Sequence, residues 1–243
     1  MPIPAPARLF ELRNAGNHAV IPMDGLRVCL DTGSPFTFKH PQGPSQVRLM
    51  DRDLTLPELP GPRGAMEAAD RLLGFQFDVL MGMDLMSGLS WRLDWQTGKA
   101  EAAPALPDEA GTTWLDLPPI LPGLAVACPS FRVNHGTEVA LLDTGAHLSY
   151  CVGQLPATAR QVGQTQDFNP HLGLFDTPVW EDELEIGGHT VPVRFGRLPQ
   201  QGAMMLQAMG ASWILGSDLL RAFRMTLDLP ASRLGLRPQP EAA

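Results

Sequence analysis

Two acidic residues occupy the same place in the same short motif. Asp31 precedes Thr32 and Gly33 after the apolar run Val28-Cys29-Leu30, and Asp143 precedes Thr144 and Gly145 after Ala140-Leu141-Leu142. The motifs are 112 positions apart. A single Asp-Thr-Gly commonly closes a turn through side-chain to backbone hydrogen bonds. Two of them, each ending an apolar strand and one in each half of the chain, point to a built pair of carboxylates. Held roughly 3 Å apart, two carboxyls cannot both ionise cheaply and share one proton. Such a pair can hydrolyse an amide without a metal or a covalent intermediate. The ionised carboxylate takes a proton from a water as it attacks the carbonyl carbon, and the protonated carboxyl donates to the carbonyl oxygen. On this reading Asp31 and Asp143 are the catalytic pair. Thr32 and Thr144 supply hydroxyls that lock the turns together, and Gly33 and Gly145 let backbone approach the carboxyls without an intervening Cβ.

The elements that must place these turns repeat as well. A hairpin over residues 18–28, turning at Asp24-Gly25, delivers Asp31; a second over residues 132–139 delivers Asp143. Downstream, Leu80-Met81-Gly82-Met83-Asp84-Leu85 matches Ile214-Leu215-Gly216-Ser217-Asp218-Leu219. Strand-like alternation around Asp94 matches that around Asp228. Gly82 and Gly216, Asp84 and Asp218, and Asp94 and Asp228 share one offset of 134 positions. The chain reads as a tandem duplication of one β unit, the alternative being two similar β domains that do not communicate. Residues 8–13 and 36–38 read as further strands, residues 40–70 as irregular, and Ala65 to Leu73 as a short helix. The Ala-, Pro- and acid-rich stretch 104–123 reads as the linker and first strand region between an N-terminal lobe, 1–103, and a C-terminal lobe, 124–243.

Composition narrows the class. With 24 Gly and 24 Pro in 243 residues, a turn-rich all-β fold with short helices is expected over a helical bundle. A net charge of −8 argues against a general nucleic-acid binder, which needs a basic surface to displace counterions. Cys29, Cys128 and Cys151 make no disulfide framework and no metal-type spacing, so they read as reduced thiols of a reducing compartment. No basic region followed by an apolar stretch opens the chain, and no apolar run reaches bilayer length. The expectation is a cytoplasmic protein, away from membranes, without a pro-segment.

The segments Leu30-Asp31-Thr32-Gly33-Ser34 and Leu142-Asp143-Thr144-Gly145-Ala146 resemble the active-site turns of aspartic proteases. Each is followed, as in that family, by two apolar residues and a glycine: Leu80-Met81-Gly82 and Ile214-Leu215-Gly216. The continuations through Asp84-Leu85 and Asp218-Leu219-Leu220 are most similar to the retropepsin-like (retroviral-type) branch. The resemblance covers most of both halves. It implies a pepsin-like bilobal monomer of two pseudo-symmetric retropepsin-like lobes, hydrolysing peptide or protein substrates without a cofactor. Ile186-Gly187-Gly188-His189 resembles the hairpin that follows the flap in such lobes. Asp31 and Gly82 are 51 positions apart, whereas Asp143 and Gly216 are 73 apart. The longer second half is therefore expected to supply the flap within residues 165–185, with Leu172, Gly173, Leu174 and Phe175 at its tip. Pro35 departs from the family pattern and is expected to alter hydrogen bonding beside the first turn.

Ser34 and Ala146 complete the turn support. A hydroxyl donor from Ser34 would favour the charged form of Asp31 and leave the shared proton on Asp143. The six histidines, His18, His40, His135, His147, His171 and His189, show no metal-ligand spacing, and no metal site is expected. Asp84 and Asp218 read as helix caps rather than a second acidic pair. Met81, Met83, Met86, Met204 and Met205 read as core, with an adaptable substrate cleft as the alternative for some of them, and Trp91, Trp95 and Trp213 as core or lobe interface. The rival to the peptidase reading is a non-catalytic peptide- or protein-binding module that kept the fold and its acids; a scaffold braced by them is a third.

Overall fold

A computed structural model describes residues 7–61, 65–121, 124–127, 130–133 and 136–239. The readings made for Cys128 and His135 lie outside the described residues. The chain is mostly β with a few short helices.

The first strand expected over 8–13 is two strands, β1 (Arg8–Glu11) and β2 (Arg13–Ala15). They part at Leu12, whose amide is diverted to the Gly98 carbonyl at 2.8 Å. The expected hairpin is β3 (His18–Met23) and β4 (Leu26–Leu30). Its turn residues Asp24 and Gly25 have φ of 51° and 83°, the left-handed pair that matches the twist of a two-residue hairpin. After the first Asp-Thr-Gly come β5 (Phe38–Lys39), β6 (Gln46–Leu49) and β7 (Arg52–Thr55). These are followed by α1 (Ala65–Leu73), β8 (Val79–Met81), α2 (Met83–Met86), β9 (Ser90–Asp94) and β10 (Lys99–Ala103). Residues 40–70 are thus less irregular than expected. β6 and β7 pair in register and turn through Met50 and Asp51 at positive φ, without the Gly or Asn that usually signals such a turn.

The stretch read as linker holds β11 (Thr113–Asp116) and β12 (Pro119–Leu121), and β13 (Leu124–Ala127) follows. Next are β14 (Ser130–Val133), β15 (Gly136–Asp143) and β16 (Ser149–Cys151). A long hairpin, β17 (Arg160–Asn169) and β18 (Gly173–Ile186), leads through Gly187-Gly188 into β19 (His189–Gly196). An unexpected helix, α3 (Gln200–Ala208), precedes β20 (Trp213–Gly216), α4 (Ser217–Leu220), β21 (Phe223–Asp228) and β22 (Arg233–Pro238). Met204 and Met205, expected in the core, are exposed on α3, which buries Leu206 instead.

One pairing scheme occurs twice. β4 lies parallel to β8, with Leu30 opposite Met81, and β15 lies parallel to β20, with Leu142 opposite Leu215. β5 and β16 close the other side of β8 and β20 in antiparallel fashion, Phe38 facing Leu80 and Tyr150 facing Ile214. A third, six-stranded sheet, ordered β1-β10-β9-β21-β22-β11, takes strands from both halves and from the stretch between them. Its central pair, β9 and β21, sets Trp91 opposite Leu227 and Leu93 opposite Met225, all four side chains buried. Removing an aromatic side chain from such a site typically costs about 3–5 kcal/mol. The core therefore runs continuously beneath both Asp-Thr-Gly turns. Among the described residues no helix is long and apolar enough to cross a membrane.

Candidate active site

Each Asp-Thr-Gly begins where a buried parallel strand runs out, so its backbone must turn while its apolar neighbours stay packed. The two turns meet. The Thr32 amide donates to Thr144 Oγ1 at 3.1 Å, and the Thr144 amide donates to Thr32 Oγ1 at 3.1 Å. Each hydroxyl then donates to the strand below the opposite turn: Thr32 Oγ1 to the Leu142 carbonyl at 2.6 Å, and Thr144 Oγ1 to the Leu30 carbonyl at 2.7 Å. Both threonines are fully buried, so all four hydrogen bonds form away from competing water.

This crossing places Asp31 and Asp143 side by side, half-buried, each carboxyl against the glycine of the opposite turn. Gly33 lies directly against the Asp143 carboxyl, where a Cβ would come within 2.4 Å of its carbon. Gly145 does the same to Asp31, also at 2.4 Å. Glycine is required by this close approach rather than by backbone angle. Asp31 Oδ1 accepts the amides of Gly33 and Ser34, both at 2.9 Å, and Asp143 Oδ1 accepts the Gly145 amide at 2.8 Å. Burial pushes the Asp31 carboxyl well above the usual carboxylate range, with repulsion from Asp143 adding to it. Burial likewise raises Asp143, against the hydrogen bonds from Asp31, Gly145 and Ala146. Such a pair holds one proton where isolated carboxyls would hold none.

The expected asymmetry from Ser34 is not present. Its hydroxyl donates to the Phe36 carbonyl at 2.7 Å instead of to Asp31. That carbonyl lies within the same tight turn, while Asp31 is already served by backbone amides. Nor does Pro35 disturb its side. The Pro35 carbonyl accepts the Asp84 amide at 3.2 Å, as the His147 carbonyl accepts that of Asp218 at 3.1 Å. The Ser34 and Ala146 carbonyls receive the amides of Met83 and Ser217 in the same matched way, at 2.9 and 2.8 Å.

Asp84 and Asp218 are not caps. Gly82 and Gly216 hold the N-cap positions, and both acids lie one residue inside the following helix. There Asp84 accepts Thr37 Oγ1 at 2.6 Å, and Asp218 pairs with Arg221 at 3.0 Å. The glycines displace them because their Cα atoms lie under the carbonyls of residues 36 and 148, which leave no room for a side chain.

Above the pair is a cleft of about 370 Å³. Met66, Leu73, Phe75 and Phe77 wall it on the Asp31 side, and Tyr150 and Ile214 on the Asp143 side. The distal end of the β17–β18 hairpin covers it, with Asn169 opposite Gly173 across the tip. Of the four residues expected at the tip, Phe175 alone lines the cleft. Leu172 reaches toward Gly202 of α3, Gly173 makes the turn at φ +74°, and Leu174 is exposed. Leu174 faces outward by alternation with Phe175, and the hairpin lines the cleft with residues 167–171 and Phe175 instead.

Four polar residues of the cleft, Tyr150, Asp167, His147 and His18, were not singled out by the sequence as site residues. Tyr150 donates its hydroxyl to Asp167 Oδ2, and His147 Nδ1 lies 3.3 Å from Asp167 Oδ1. His18 sits near His147, ring centroids 6.5 Å apart, with Nδ1 donating to the Gly16 carbonyl at 2.8 Å. Burial keeps His18 below the ordinary imidazole value. His147 and Tyr150 follow the second turn closely enough for their nearness to Asp143 to be read from the sequence. Cys29 and Cys151 are buried, and burial raises both thiols, which suits packing rather than nucleophilic attack. Among the described residues no three His, Cys, Asp or Glu side chains gather as a metal site.

No protein-family model matches this chain, and no curated protein matches it either.

Proposed function

We propose that this chain is an aspartic endopeptidase built from two pseudo-symmetric, retropepsin-like lobes, with Asp31 and Asp143 as its dyad. The observation that carries the reading is the half-buried carboxyl pair that the crossed turns bring together at the floor of a covered cleft. The recurrence of the parallel β4/β8 pairing in β15/β20 supports the lobed architecture. An extended peptide would lie between the lobes with its scissile carbonyl over the pair. One carboxylate would activate water and its protonated neighbour would donate to the carbonyl oxygen. The apolar walls would take side chains flanking the bond, and the hairpin edge would pair with the peptide backbone.

The test is incubation of the protein and its Asp31→Asn variant with a diverse peptide mixture from acid to neutral pH, with cleavages read by mass spectrometry. Cuts present in the wild type and absent in the variant are expected. A wild type that cuts nothing at any pH would overturn the reading and favour a peptide-binding module.

A further inference from the structure

The hairpin over the cleft has an unusual attachment. Along β17 one residue alone is buried, and it is the charged Asp167, only 6% exposed. The strand otherwise presents exposed or half-buried side chains, and its apolar hold near the tip is limited to Phe168, packed against the cluster around Met66 and Phe77. Asp167 lies two residues from the turn, opposite Phe175. Its partners come from the segment that leaves the second Asp-Thr-Gly: His147 at 3.3 Å from Oδ1 and the Tyr150 hydroxyl on Oδ2. The Phe168 amide adds a third donor at 2.7 Å.

Resting on the dyad reading, we propose that Asp167 is a positioning residue that fastens the β17–β18 hairpin over Asp31 and Asp143 through His147 and Tyr150. The fastening needs an ionised Asp167 and is strongest with a charged His147. Burial works against the charge on Asp167. The His147 hydrogen bond and charge, the Tyr150 hydroxyl and the Phe168 amide outweigh it and hold the carboxyl below its usual range. Burial also opposes charge on His147, but the hydrogen bond and charge of Asp167, with the charge of Asp218, raise it above the ordinary imidazole value. The other groups facing this cluster are His18 from β3, whose own protonation His147 disfavours, Arg194 from β19, whose charge disfavours the His147 imidazolium, and Asp143 below it. The raised imidazole therefore contributes its full hold below its unfolded value and loses it as pH rises through the folded one. Asp167 fails only in strong acid, below its lowered value. The hairpin is held closed over the acid to near-neutral range, where a dyad sharing one proton can also work.

Hydrogen–deuterium exchange over residues 163–175 tests this directly. It compares the full-length wild type with Asp167→Asn and His147→Gln across pH, corrected for intrinsic exchange, with circular dichroism checking the fold. Either variant should lose roughly tenfold in protection, the loss expected for one charge-assisted hydrogen bond. The wild type should show a similar loss as pH rises through the His147 titration. Should Asp167→Asn not fold, His147→Gln and Tyr150→Phe carry the same comparison. Equal protection in wild type and folded variants, or wild-type protection indifferent to pH, overturns the proposal. Cleavage is read separately. A wild type that cuts no peptide while its hairpin stays protected overturns the dyad reading and leaves the fastening standing.

Discussion

Thr32→Val isolates the lock between the two turns, because valine keeps the shape of threonine and removes its hydroxyl. In the wild type that hydroxyl donates to the Leu142 carbonyl at 2.6 Å and accepts the Thr144 amide at 3.1 Å. Both groups are then left without those partners in a site closed to water, since Thr32 has no exposed surface. Each buried unsatisfied group costs about 1–3 kcal/mol, or about 2–6 kcal/mol for the two. The extra buried methyl returns about 0.8 kcal/mol. A net loss of about 3 kcal/mol is expected, which for a chain of this size lowers the melting temperature by about 6–12 °C. Thr144→Val should cost a similar amount, since it strands the Leu30 carbonyl and the Thr32 amide in the mirrored arrangement. Urea denaturation of the two variants beside the wild type is the assay, with an unchanged dependence on denaturant confirming that midpoints report stability. If either variant came within about 0.5 kcal/mol of the wild type, the reciprocal lock would not be the structural element described above.

Two further outcomes follow from the same geometry. Gly33→Ala places a Cβ 2.4 Å from the Asp143 carboxyl carbon, whereas non-bonded carbons rest at about 3.5–4.0 Å, so the carboxyl must retreat by more than about 1 Å. A loss of about a hundredfold in kcat/KM is expected from peptide cleavage rates, and Gly145→Ala should do the same through Asp31; full activity in either would contradict the close approach. Asp31→Asn should change the pH dependence of stability. Both carboxyls are raised in the folded state, so the folded protein binds more protons than the unfolded one between the ordinary carboxylate value and the raised ones. Wild-type stability from this pair is then full in acid and falls as pH rises through the raised values. The variant should equal the wild type in acid and exceed it at neutral pH, as read from denaturation midpoints; a variant less stable at neutral pH would refute the sign.

The candidate pair was legible because its signal is local. Asp31 and Asp143 each close an apolar strand, and the matched glycines at 82 and 216 share their register. The type I′ turn at Asp24-Gly25 and the helix Ala65–Leu73 were legible for the same reason. Other features were not. The β6–β7 turn puts Met50, which has no turn preference, before Asp51 without a glycine, and the pairing of the two strands holds both at positive φ. The stretch 104–123 read as linker and first strand region without showing which residues pair; 113–116 form the edge strand because β22 offers them unpaired backbone groups. The caps were misplaced by two residues, at Asp84 and Asp218, because the carbonyls that crowd Gly82 and Gly216 come from loops far away in sequence.

By itself, then, the sequence determined the residue types, the doubled motif and the alternation that makes the chain mostly β, all of which depend on neighbours within a few positions. Only the tertiary structure decided that the two turns cross, that Ser34 serves Phe36 rather than Asp31, and that Tyr150 and His147 meet Asp167 beneath the hairpin. These contacts join residues set by the packing of whole strands. A hydroxyl or carboxyl takes whichever partner that packing brings within reach, and no local pattern announces it.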